Sequence, residues 1–127
     1  MELYRDQPVF AFKTLDAWLE WLEKNHTSAQ SVWVKIAKKN TGVTTISYEQ
    51  AREGALMYGW IDGLVNKLDE TYYLQRMTPR RPRSQWSAIN RKLVEGYIKA
   101  GHMKPAGMVQ VEAAKADGRW AGPKHSA

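Results

Sequence analysis

The sequence predicts an α+β fold: a small, mostly antiparallel β-sheet of about three to four strands, packed with about four helices in a single domain. Three observations lead there. Ser31 to Ala37 sets Val32, Val34 and Ile36 against Trp33, Lys35 and Ala37, the two-residue period of a strand. Trp60–Lys67 and Thr71–Met77 flank Leu68-Asp69-Glu70 as the arms of a hairpin. The remaining apolar positions recur at helical spacing behind recognisable caps.

The elements follow in order. Residues 1–13 carry Pro8 and read as a lead-in, with Val9, Phe10 and Phe12 free to dock on a sheet edge. Thr14 caps a helix through Leu15, Trp18, Leu19 and Leu22, ending near Asn25, with Asp16 favourable in its first turn. After the strand at 31–37, Lys38 to Gly42 form a turn and Val43 to Ile46 a short extended piece. Ser47 and Gln50 form a capping box for a helix that Gly59 stops. Beyond the hairpin, Ser84 reads as the N-cap of a helix from Gln85 to about Ala100, ended by Gly101. Pro105 starts a last helix that runs to about Ala116 and stops at Asp117-Gly118. Residues 1–120 form the domain, and 121–127 read as a disordered tail.

At 127 residues, one ordinary hydrophobic core is expected. Cysteine is absent, which excludes disulfides, thiol nucleophiles and thiolate metal sites. No apolar run is long enough to span a bilayer, and the N-terminus lacks the pattern of a secretion signal, so a cytoplasmic protein is expected. Neither a phosphate-binding loop nor a dinucleotide fingerprint occurs. His26, His102 and His125 are scattered, with no carboxylate at metal-ligand spacing, so neither a metal nor any other cofactor is expected.

The charge is unevenly placed. There are 19 Lys and Arg against 13 Asp and Glu, a formal excess of +6. Thr71 to Val94 holds Arg76, Arg80, Arg81, Arg83, Arg91 and Lys92 and not one acid. Setting those six aside leaves the rest balanced at 13 against 13. Concentrated charge of this kind points to a site for an anion, or to a wet loop tied to acidic groups elsewhere. A helix starting behind Ser84 would aim unpaired N–H groups at the same place, beside planar arginine donors.

Asp62 lies in Gly59-Trp60-Ile61-Asp62-Gly63, a strand start whose two glycines suggest a bulge or a close approach. It reads as a structural acceptor for backbone or arginine, or else as an acid or base. Of six tryptophans, four or five are expected in the core, and Trp86 is the one placed to face a ligand. Trp120 is expected to dock the C-terminus, with Arg119 stacking on a ring or extending the basic patch.

Three separated phrases, Tyr58-Gly59-Trp60-Ile61-Asp62-Gly63, Thr78-Pro79-Arg80-Arg81-Pro82-Arg83-Ser84 with Trp86-Ser87 and Asn90, and Asp117-Gly118-Arg119-Trp120, resemble the bacterial YdeI/OmpD-associated proteins, often labelled bacteriocin-protection proteins. The likeness spans roughly residues 10 to 120 and implies a part in tolerating bacteriocins or antimicrobial peptides. It carries no catalytic residues. Longer members continue past the Gly-Arg-Trp phrase into a second helical segment.

The expected function is therefore a non-catalytic binding module. Arg80, Arg81, Arg83, Ser84, Ser87, Asn90 and Arg119 would hold an anion, with Asp62, Trp60 and Trp86 shaping the pocket. The partner would be an anionic small molecule, an acidic protein or an envelope component. Two alternatives stand beside it: nucleic acid bound by the same basic patch, and an enzyme built on Asp62.

Overall fold

A computed structural model describes residues 2–121. The strands are β1 (Leu3–Tyr4), β2 (Gln7–Phe10), β3 (Val32–Ala37), β4 (Trp60–Lys67) and β5 (Tyr72–Pro79); the helices are α1 (Leu15–Asn25), α2 (Tyr48–Met57), α3 (Ala88–Lys99) and α4 (Pro105–Ala116), followed by a 3-10 turn at Arg119–Ala121.

The sheet has five strands in the order β1-β2-β3-β5-β4, more than expected. The β3–β5, β4–β5 and β1–β2 pairs are antiparallel, but β2 lies parallel to β3, with Val9 beside Trp33 and Phe10 beside Val34. The extra strands come from the lead-in. Arg5 and Asp6, at φ 51° and 63°, close a two-residue turn that usually takes Asn-Gly, so residue type gave no turn signal there. Val43–Ile46 joins no strand, although the Ile46 N–H donates to the Phe12 carbonyl at 2.8 Å.

The caps of α1 and α2 fall where the sequence places them. Thr14 Oγ1 accepts from the Ala17 N–H at 3.1 Å, and the Ser47–Gln50 box closes in both directions. Gly59 has φ +76°, and a Cβ there would lie 2.8 Å from the Ala106 carbonyl, so α2 can stop and α4 can approach only at a glycine.

The domain forms three tiers. On one face of the sheet, α1 and α2 bury Trp18, Leu22, Val32, Val34, Ile36, Ala51, Ala55 and Met77. The far side of α2 carries α3 and α4 around Leu56, Trp86, Val94, Val111 and Ala114. A small cluster on the sheet's other face joins Val9, Trp33 and Leu74, with Tyr4 edge-on to Trp33 at 5.0 Å. Trp18, Trp33, Trp60 and Trp86 are buried, whereas Trp21 and Trp120 are half-buried. Each buried ring removes about 150–250 Å² from water, roughly 4–6 kcal/mol gross at about 25 cal/mol/Å². That sum explains why the core claims the tryptophans.

Of the tail expected to be disordered, 121–127, Ala121 belongs to the 3-10 turn, and the rest, with His125, lies outside the described residues. Among the described residues, no helix is long and apolar enough to cross a membrane.

Candidate functional site

The helix after the basic loop starts later than its sequence suggests. The N-cap of α3 is Ser87, whose Oγ accepts from the Asn90 N–H at 3.1 Å, and Ser84 lies outside the helix. The cause is the loop itself. Arg83 takes φ 63° and the Ser84 N–H donates to the Arg81 carbonyl at 3.1 Å, so the chain turns tightly over 81–84. Trp86 must then reach inward to Trp120, 4.9 Å between ring centroids, which delays the first helical turn to Ala88. The proposed convergence of Ser84 with a helix start is therefore corrected.

Arg80 is not a surface residue. It is 5% exposed, and its guanidinium lies 3.6 Å from the centroid of the Trp86 ring. Its Nη1 donates to the Ser84 Oγ at 2.9 Å and to the Gln85 carbonyl at 3.2 Å. Burial, reinforced by the nearby Arg119 charge and opposed by Asp62, draws its pKa from 12.5 to about 10. It stays charged at neutral pH.

Arg119 is also engaged. Its Nε donates to both Asp117 carboxylate oxygens at 2.9 and 2.7 Å, and its Nη1 to the Ser84 carbonyl at 2.7 Å. Arg91 donates to the Trp120 carbonyl at 2.9 Å. These bonds fasten the C-terminal turn onto the loop and onto α3, as expected for Trp120. They correct the reading of Arg119 as a stacking or patch residue. Trp86 and Trp60 are both interior. Arg81, Arg83 and Ser87 are exposed, and Asn90 is half-buried. What remains of the expected anion site on the surface is thus a braced loop carrying two outward arginines.

Asp62 stands apart from this loop. It pairs with none of the loop arginines among the described residues. Its Oδ2 instead accepts from the Tyr48 hydroxyl at 2.7 Å. Burial, then the hydrogen bond and charge of Asp62, raise the Tyr48 pKa above its ordinary 10.0. The two residues border a cleft of about 520 Å³ at the start of α2, also lined by Glu49, Gly63, Val65, Tyr73 and Gln75.

Gln75 is 1% exposed, and its Nε2 donates to the carbonyls of Gly63, Leu64 and Arg76 at 3.0, 3.4 and 3.1 Å. Those bonds hold the register shift between Asp62 and Val65. Sequence reasoning missed Tyr48 and Gln75 as site residues. The available signal was a lone amide between Tyr73 and Met77 on the face of β5 that meets the helices.

A second recess, about 580 Å³ and largely apolar, follows α3 along Ile89, Leu93, Gly96 and Tyr97. Ile89 is 65% exposed although the helical period places it with the core.

A five-strand mixed sheet, two tiers of helices and a braced basic loop define a small α+β domain. The chain belongs to the family described as a domain of unknown function, DUF8412, whose model matches residues 10–110. No curated protein and no solved structure matches it.

Proposed function

We propose that the domain is a non-catalytic binding module whose 80–84 loop docks an anionic partner through Arg81 and Arg83. The observation that carries this reading is the division of labour among the arginines. Arg80 and Arg119 are used inside, so the loop is held in one shape while Arg81 and Arg83 remain exposed. A preformed loop orders few side chains on binding, which lowers the cost of association. Guanidinium forks suit carboxylate or phosphate groups equally. The partner is an acidic protein segment or an anionic envelope component. The resemblance to YdeI/OmpD-associated proteins gives bacteriocin or antimicrobial-peptide tolerance as the biological setting of this proposal.

The test is the double variant Arg81→Glu/Arg83→Glu, assayed against an octaglutamate peptide, phosphatidylglycerol vesicles and a DNA duplex. Binding should fall at least about tenfold, since each exposed pair is worth up to about 1 kcal/mol and reversal adds repulsion, and the melting temperature should hold. Unchanged binding to all three probes would overturn the reading. The duplex arm separates the nucleic-acid alternative. Two engaged phosphates give a log–log salt slope of about −1.8, and a slope steeper than about −4 would mean a broad nucleic-acid face. The buried tryptophans offer no stacking platform for such a face.

A further inference from the structure

The cleft at the start of α2 has the opposite chemistry to the loop. In a chain of net charge +6, its lining contains two carboxylates, Asp62 and Glu49, and neither lysine nor arginine. Arg52, one turn along α2, holds its guanidinium 5.2 Å from the Tyr48 ring centroid, and the charge of Arg80, buried under the basic loop, also acts on Asp62. Tyr48 engages Asp62 Oδ2 and leaves Oδ1 for another donor. Beneath them lies Gln75. Its amide nitrogen faces three carbonyls, which fixes the orientation of the group, and its Oε1 has no donor among the described residues. An acceptor dipole without a donor adds negative potential to the floor, on top of the carboxylates.

Tyr73 and Val65 complete the recess with an aromatic ring and a 60% exposed apolar side chain. At about 520 Å³ the space is that of an ordinary small-molecule site. We propose that this cleft binds a small organic cation, a primary ammonium or a guanidinium carried on a flat apolar body. The cationic head donates to Asp62 Oδ1 under the field of Glu49 and Gln75, and the body lies along Tyr73 and Val65. Tyr48 is a positioning residue, holding the Asp62 carboxylate through its hydroxyl. This site is independent of the arginine loop, and either can fail without the other.

The experiment is an NMR titration of the whole protein at pH 7 with phenethylamine and phenylguanidine as cationic probes. Phenylacetate serves as the anion of similar shape. Both cations should give saturable shifts at Tyr48, Gly63, Val65 and Tyr73, and phenylacetate none. Asp62→Asn still accepts from Tyr48 but lacks the charge, and should weaken the cations by about tenfold or more. Val65→Trp, at an exposed position, should fill the recess and abolish the response, so the proposal stays testable if Asp62→Asn fails to fold. Absence of saturable cation binding would overturn the proposal. So would an equal response to phenylacetate, or affinity indifferent to both variants.

Discussion

Replacing Arg80 tests how the loop is held. Burial, which leaves Nε and Nη2 without partners among the described residues, is reinforced by the Arg119 charge and draws its pKa from 12.5 to about 10, a cost of roughly 3 kcal/mol at about 1.36 kcal/mol per pH unit. Against this stand a desolvated stack on Trp86, worth about 2 kcal/mol, and two bonds from a charged donor at about 1.5–3 kcal/mol each. The favourable contributions total about 5–8 kcal/mol, so the intact side chain leads by roughly 2–5 kcal/mol. Arg80→Met keeps an apolar stem against Trp86 but leaves Ser84 Oγ and the Gln85 carbonyl without their donor. It should therefore lose about 2–5 kcal/mol. Arg80→Lys retains the charge without the planar stack and should be destabilised as well. Urea unfolding followed by far-UV circular dichroism and tryptophan fluorescence measures both. A methionine variant as stable as the parent would refute the reasoning, since apolar replacement of buried charge is tolerated when its partners contribute little.

Other outcomes follow from the same structure. Gly54→Ala would place a methyl group 2.5 Å from the Trp18 indole, so overpacking of about 1–3 kcal/mol outweighs a helix-propensity gain of up to about 1 kcal/mol; Gly96→Ala meets no neighbour and should stabilise by about 0.5–1 kcal/mol, both read by urea midpoint. Desolvation raises the Asp117 carboxyl, but the Arg119 backbone and guanidinium bonds, with the Arg119 and Arg83 charges, together outweigh it and hold the group below its ordinary 3.8. A depressed acid stabilises the fold above its unfolded pKa and loses that support as pH falls through its folded one. Trp86 and Trp120 fluorescence should therefore change below about pH 4, and Asp117→Asn should remove that step. Tyr48 has the opposite sign: its pKa is raised, so its contribution is complete below pH 10.0 and declines as pH rises further. Ultraviolet titration should show one tyrosine shifted back toward its ordinary value in Asp62→Asn.

Most of the framework could be read from residue patterns because its signals are local. The Thr14 cap, the Ser47–Gln50 box, the hairpin about Leu68–Glu70 and the Pro105 start each depend on neighbours within a few residues. The β1–β2 hairpin was hidden because Arg5-Asp6 adopts a turn that its residue types rarely advertise. Parallel pairing of β2 with β3 is a tertiary choice with no period of its own. Ser84 and Ser87 were equivalent candidates by residue type. What chose Ser87 was Trp86 turning inward to Trp120, a contact across more than thirty positions.

The basic loop shows the same limit. Charge density located it, but only packing separated the interior Arg80 from the exposed Arg81 and Arg83. Asp62 was visible as an unusual carboxylate, while nothing local to Tyr48 marks it as the partner, since the two meet only through the packing of α2 on β4.

The central claim is that two outward arginines on a braced loop receive negative charge. The most direct measurement is an NMR titration of the unaltered protein with octaglutamate at low salt, followed residue by residue. Saturable amide shifts confined to 80–84, and lost in Arg81→Glu/Arg83→Glu, are the predicted result. Shifts that map elsewhere, or that survive the double reversal, would contradict it.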